Sequence, residues 1–172
     1  SSHAAEVTST TVHLPSEDMK GRIIGKEGRN IKAIEKLTGC ELVIDDSPDT
    51  IMVSGFSPIR RQIAKLALEK LMADGRIQPA RIEEFVEKAK QDLALDIKKA
   101  GEEALYKMSI TGIDPKLVGI VGRLKYRTSY GQNILIHSME VGYLSAIIAS
   151  ELGLDAAKAK KCGFFHDIGK AV

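Results

Sequence analysis

Two stretches of the chain hold residue types at spacings that could do chemistry. The first is Gly21-Arg22-Ile23-Ile24-Gly25-Lys26-Glu27-Gly28-Arg29-Asn30-Ile31, in which Gly-Lys-Glu-Gly separates two apolar segments. Two glycines three apart let the backbone turn tightly and let a phosphate approach with no Cβ in the way. A helix starting at about Glu27 would turn its free N–H groups and positive dipole end toward whatever lies over the loop. Arg22, Lys26 and Arg29 add positive charge around that spot. The chemistry favoured there is binding to a phosphodiester backbone, and a plain turn between two helices is the alternative. Glu27 repels phosphate and reads instead as a first-turn acid that favours the helix N-terminus. The expected affinity is therefore weak and non-specific, about micromolar or weaker.

The second stretch is His166-Asp167-Ile168-Gly169-Lys170, with His137 upstream. The spacing predicts a helix over 131–152 with His137, Val141, Leu144 and Ile148 on one face. Gly153 ends it, Asp155 starts the next, and Ala159, Cys162, Gly163 and His166 share the inward side of that helix. Histidines on apolar faces of consecutive antiparallel helices can converge in a core, each as a satisfied structural side chain or as a metal ligand. The pair His166-Asp167 offers one nitrogen and one oxygen to a divalent ion, and His137 would supply a third ligand. Lys170 would lie within reach of a bound phosphate. A metal so held lowers the pKa of bound water and shields a phosphodiester, which is what hydrolysis requires.

The elements that must position these residues follow from local signals. Val7 to Leu14 alternates as a strand, with a structural His13, and Pro15 ends it. Ser16 caps a short helix reaching about Ile24. Ile31, Ile34 and Leu37 make the stripe of the next helix, closed by Gly39. Strand-like runs at 40–45 and 50–56 flank Asp46-Ser47-Pro48-Asp49, a turn. Ser57-Pro58 opens a third helix whose buried face is Ile59, Ile63, Leu66 and Leu71, closed by Gly75. Val43 and Ile44 could floor a groove for bases, or simply be strand core.

Residues 77–80 break the pattern. From Arg81 to about Met108 runs a highly charged amphipathic helix of about 40 Å. It could self-associate or lie as a strut against the next domain, and its thin seam of Gly101 and alanines favours the strut. Asp114-Pro115 caps a further helix bearing Leu117, Ile120, Val121 and Leu124. Arg123, Lys125 and Arg127 cluster near Tyr126 and Tyr130; this mix can touch nucleic acid, though a solvated face is the favoured reading.

The totals are those of an ordinary globular protein: 172 residues, 44% hydrophobic and a net charge of only +2. Any nucleic-acid site must then be a local patch. No apolar run approaches the roughly 20 residues of a membrane span. Cys40 and Cys162 lie far apart and read as reduced, buried thiols. Ser1-Ser2-His3 reads as a tag remnant, with the natural N-terminus missing.

Ile-Ile-Gly-x-x-Gly-x-x-Ile, set between short helices after a strand and before two more, resembles the KH domain over residues 6–76. The resemblance implies an α+β, type I fold, a three-stranded sheet with three helices, that clamps the backbone of single-stranded RNA. Arg22, Gly25, Lys26, Glu27, Gly28 and Arg29 are then its RNA-binding candidates. Phe-Phe-His-Asp-Ile-Gly-Lys, with Asn-Ile-Leu-Ile-His-Ser upstream, resembles the start of an HD-domain phosphohydrolase. A KH domain, a charged helix, Arg-Leu-Lys-Tyr-Arg-Thr-Ser-Tyr-Gly-Gln-Asn and then the HD motif is similar to a family of bacterial endoribonucleases that start messenger RNA decay.

That resemblance divides the chain into a KH domain at 6–76, a linker and long helix at 77–110, and the first part of an all-α HD domain at 111–172. It puts His137, His166 and Asp167 on metal-ligand positions, for Mn2+ or Mg2+. His166, Asp167 and Lys170 take catalytic roles, Lys170 steadying the phosphate. It also implies a membrane segment and a coiled coil upstream, hence the cytoplasmic face of the cell membrane for the whole protein, whereas this segment is itself soluble. The expected partners are single-stranded mRNA, further copies of the chain as a homodimer or higher, and other RNA-decay proteins, without a small-molecule cofactor. The aspartate that closes the family's site lies beyond Val172, so the segment alone should not cleave. The alternative is a module that only binds RNA or protein and dimerises; an HD nucleotide phosphohydrolase with an added KH domain is a weaker third. A core ending after the second ligand helix should leave inward faces that associate or stay poorly ordered.

Overall fold

The computed structural model describes residues 8–129 and 131–172. The expected strand start at Val7 and the aromatic Tyr130 lie outside the described residues. Two compact units divide between Leu93 and Ala94.

In the first unit, β1 (Ser9–His13) leads to α1 (Glu17–Ile24), a single turn at Lys26–Gly28 and α2 (Arg29–Thr38). Then follow β2 (Glu41–Val43), β3 (Thr50–Ser54) and α3 (Pro58–Asp74). The sheet is antiparallel in the order β1-β3-β2, with Val12 opposite Ile51 and Leu42 opposite Val53. Those four side chains are buried together with Ile23, Ile34, Leu68 and Leu71. Each contributes about 1.5–3 kcal/mol by leaving water. This is the expected strand, helix, loop, helix, strand, strand, helix order. Ser57 caps α3 as foreseen, its hydroxyl accepting from the N–H of Arg60. Ser16 sits at the start of α1 in extended backbone, yet its side chain makes no capping bond.

The buried face of α3 is Arg61, Ala64, Ala67, Leu68 and Leu71, shifted from the expected stripe; Ile63 and Leu66 are only partly buried. The cause is Arg61, which burial favours because its guanidinium donates to the Gly55 carbonyl and, at 3.2 Å, to the Thr10 hydroxyl.

Helix α4 (Pro79–Lys107) begins in this unit, where Ile82, Phe85, Val86 and Ala89 join the core. Its later residues Ala104, Leu105 and Met108 belong to the core of the second unit. There α5 (Pro115–Arg123) follows, capped by Asp114, whose carboxylate accepts from the N–H of Lys116. Helices α4 and α5 cross at glycine. A Cβ on Gly101 would fall 2.2 Å from the carbonyl oxygen of Val118, and one on Gly122 would fall 1.8 Å from that of Ile97. No larger residue allows backbones so close.

A two-residue ladder, β4 (Thr128–Ser129) with β5 (Gln132–Asn133), precedes α6 (Ile134–Glu151) and α7 (Ala156–Phe165). Helix α6 therefore begins later than the expected 131, capped by the Asn133 side chain, which accepts from the N–H groups of Leu135 and Ile136. Its buried residues are Ile134, Leu135, Ser138, Gly142 and Ala149, whereas Leu144 and Ile148 face outward. On α7, Phe164 is buried; Cys162, expected to be inward, is exposed, and only Cys40 is buried.

Candidate nucleic-acid loop and metal centre

The glycine loop owes its shape to three positions of positive φ on either side of Lys26. Gly25 has φ 75° and ψ 170°, Glu27 has φ 56°, and Gly28 has φ 72°. The N–H of Gly28 donates to the Gly25 carbonyl, which closes the turn at 3.1 Å. Helix α2 begins only at Arg29. Glu27 is thus not the first-turn acid of a helix but a strained loop residue, in a conformation that costs a side chain about 1–2 kcal/mol. Lys26, Glu27 and Arg29 are exposed around this turn. Arg22 is turned back, its guanidinium donating to the Gly75 carbonyl. Val43, at the edge of the sheet, is 39% exposed, while Ile44 packs on the core.

The loop is locked by a residue the sequence reading passed over. Nδ2 of Asn30 donates to the carbonyl of Arg22 at 3.0 Å and to that of Ile77 at 3.2 Å. A Cβ on Gly25 would meet this amide at 2.7 Å. The available signal was an asparagine buried on the apolar side of a helix, two positions after Gly28.

In the second unit, glycine again sets the approach of two helices. A Cβ on Gly142 of α6 would fall 3.1 Å from the Lys160 carbonyl, and one on Gly163 of α7 would fall 3.0 Å from that of Val141. This close pairing brings His137 and His166 to a ring-centroid separation of 5.8 Å. Nε2 of His166 lies 3.0 Å from Oδ2 of Asp167, and Nε2 of His137 lies 3.8 Å from the same oxygen. One ligand atom from each of the three falls within 4.8 Å of the others. Nζ of Lys170 is 3.3 Å from that carboxylate oxygen as well. The three expected ligands and Lys170 therefore meet at one point.

The tautomer of His166 follows from its neighbours. Nδ1 stands 2.7 Å from the carbonyl oxygen of Gly163, which can only accept, so Nδ1 carries the proton. Nε2 then faces the carboxylate either with a second proton or with a lone pair. A lone pair opposite a carboxylate oxygen calls for a cation between them. That is the donor arrangement of a metal-ligating histidine, one nitrogen anchored to a carbonyl and the other free for the ion. Two imidazoles and one carboxylate suit a divalent first-row cation.

Elsewhere in this unit, Asp96 accepts from the Tyr126 hydroxyl and pairs with Lys125 at 2.9 Å. Burial and this bond push the Tyr126 phenol well above its usual range, and the same bond holds Asp96 below its own. Lys125 and Tyr126 are thereby tied to α4.

Residues 9–70 match the KH domain and residues 134–172 match the HD domain. Over 170 residues the chain is 61% identical to ribonuclease Y of Clostridium novyi (strain NT), covering 99% of this chain and 34% of that protein. Along almost its whole length the chain is similar to ribonuclease Y. Ribonuclease Y of Thermoanaerobacter pseudethanolicus is 60% identical and that of Thermotoga petrophila 59%, each across 99% of this chain and 34% of the relative. The chain thus spans about a third of the length of the ribonucleases Y it matches. No solved structure matches it. The stretch matched to ribonuclease Y spans both the loop and the three candidate ligands of this chain. No helix among the described residues is long and apolar enough to cross a membrane.

Proposed function

We propose that this chain forms the RNA-holding and metal-holding parts of an endoribonuclease that initiates mRNA decay. The KH domain over residues 6–76 grips single-stranded RNA, residues 77–110 link it onward, and residues 111–172 form the first part of the HD domain. Lys26 and Arg29 give the loop its positive surface, with Arg22 at its edge held to the Gly75 carbonyl; Gly25 and Gly28 shape the turn, and Glu27 tempers its affinity. His137, His166 and Asp167 would hold Mn2+ or Mg2+, and an ion bound there would supply water activation and neutralisation of phosphate charge. The anchored Nδ1 of His166 keeps its ring oriented, and Lys170 balances the Asp167 carboxylate and receives the phosphate. The observation that carries this reading is the convergence of three ligand atoms within 4.8 Å.

The whole protein would act at the cytoplasmic face of the cell membrane, with other RNA-decay proteins as partners. Residues 1–172 alone should not cleave, because three ligands leave an ion largely exposed and weakly held. The test uses protein carrying the remainder of the HD domain, with single-stranded RNA and Mn2+ or Mg2+. The double variant His166→Ala, Asp167→Ala should lose cleavage by at least about a hundredfold. Cutting at the wild-type rate would overturn the reading.

A second role, association between copies, is favoured by the outward face of α6. Tyr143, Leu144, Ile147 and Ile148 are 43–59% exposed side by side on it. Apolar faces of this kind usually find a partner.

A further inference from the structure

We propose that RNA held at the glycine loop continues along α2 to a second phosphate site, a basic recess at the far end of that helix. This rests on the RNA-binding reading of the loop and extends it to residues not assigned to RNA above.

The track starts at Arg29 in the first turn of α2 and continues through Lys32 and Lys36, all exposed. Spacings of three and four put them on one face of the helix. It ends at a recess of about 330 Å³ lined by Lys36, Arg60 and Lys90, with Leu37 and Ile63 as its apolar floor and no carboxylate in its wall. The guanidinium of Arg60 lies over Gly39, where a Cβ would come within 2.9 Å of Nη1.

Two features distinguish this recess from an ordinary solvated face. First, Lys36, Arg60 and Lys90 line one recess with no carboxylate in its wall, and, like Arg29 and Lys32 on the track, none of the three forms an ion pair among the described residues. Second, the position of Arg60 opposes local helix electrostatics. Arg60 stands in the first turn of α3, where a cation is disfavoured and no acid is present. The C-terminus of α2 carries only about half a negative charge, which one cation satisfies. Three cations gathered there leave a net positive recess, and a phosphate oxygen supplies what the protein does not.

The span fits a nucleic-acid strand. Ten residues of α2 cover about 15 Å. At ~3.4 Å per nucleotide in a stacked strand, that is about four nucleotides beyond those clamped by the loop. A tetranucleotide would fill the loop alone, and a dodecanucleotide would reach the recess.

The experiment measures binding of oligouridylates of four and twelve nucleotides, across a range of salt, to the wild-type chain and two variants. One is Lys36→Gln, Arg60→Gln, Lys90→Gln, whose sites are all exposed; the other is the loop variant Lys26→Asp, Glu27→Asp. The triple variant should lose about tenfold in affinity for the dodecamer, with its salt slope reduced by up to about 2, and bind the tetramer as wild type does. Wild-type dodecamer affinity and slope in the triple variant, with both lengths lost by the loop variant, would overturn the recess and spare the loop. Wild-type binding of both lengths by the loop variant would sink the loop reading, and the track from it, whatever the triple variant does. Titration with inorganic phosphate separates the remaining source. Saturable phosphate binding lost by the triple variant, with unchanged dodecamer affinity, would make the recess a free-anion site and overturn the strand track.

Discussion

The carbonyl oxygen of Ile97 occupies the place a side chain on Gly122 would need, 1.8 Å from where its Cβ would stand. Because the clash is with backbone, no rotamer change relieves it, and α4 and α5 must separate. Gly122→Ala should destabilise the second unit by about 3 kcal/mol or more. Gly119, on the same helix with nothing within 4 Å, is the control. Gly119→Ala should stabilise by about 0.5–1 kcal/mol, as alanine does in a helix interior. Urea unfolding of both variants measures the difference, and equal effects would contradict the crossing.

At the loop, Gly25 and Glu27 predict opposite outcomes. Gly25→Ala drives a Cβ into the Asn30 amide at positive φ and should cost about 2 kcal/mol along with RNA affinity. Glu27→Gly relieves a left-handed side chain and removes a negative charge from the phosphate side. It should stabilise by about 1 kcal/mol and tighten RNA binding several-fold. Thermal melts and anisotropy titrations read both.

Asp74 supplies a pH dependence. Hydrogen bonds from Arg76, helped by Arg81 at 2.8 Å, hold its carboxyl down at about 2. A carboxyl depressed in the folded state stabilises above its ordinary value of 3.8, and that contribution fades as pH falls toward about 2. Asp74→Asn should therefore be less stable than wild type at neutral pH, and the gap should close between those two values. A constant gap across acid melts would refute the pairing.

The outward face of α6 predicts self-association that grows with protein concentration. Sedimentation of wild type against Leu144→Glu, Ile148→Glu measures it; both residues are more than half exposed, so the variant should fold and stay monomeric. Wild-type protein that remains monomeric at every concentration would rule out this face as an interface.

Most of the first unit was legible because its signals are local: Ser57-Pro58 opening α3, Gly39 and Gly75 closing helices, apolar spacings on α2. Arg61 was not, since its burial depends on acceptors at Thr10 and Gly55, remote in sequence or across a turn. In the second unit, the convergence of His137 with His166 and Asp167 could be read, yet the face of α6 could not. That helix is apolar on nearly every side, so periodicity offers no single stripe. Its buried line runs through Ile134, Leu135, Ser138, Gly142 and Ala149, where a Cβ on Gly142 would fall 2.4 Å from Met108 and 3.1 Å from the Lys160 carbonyl, and Leu144 and Ile148 are left outside. Cys162 on α7 is exposed as well. Glu27 looked like an acid at a helix start, but the helix starts two residues later.

Asn30 anchors the carbonyls of Arg22 and Ile77 with a single amide. The entropy of ordering the Gly25–Gly28 corner is therefore lost when the domain folds, not when a ligand arrives. On the proposed RNA-binding reading, a strand would meet a finished, rigid surface, so its capture rate should track diffusion and ionic strength, with no slow rearrangement following the encounter.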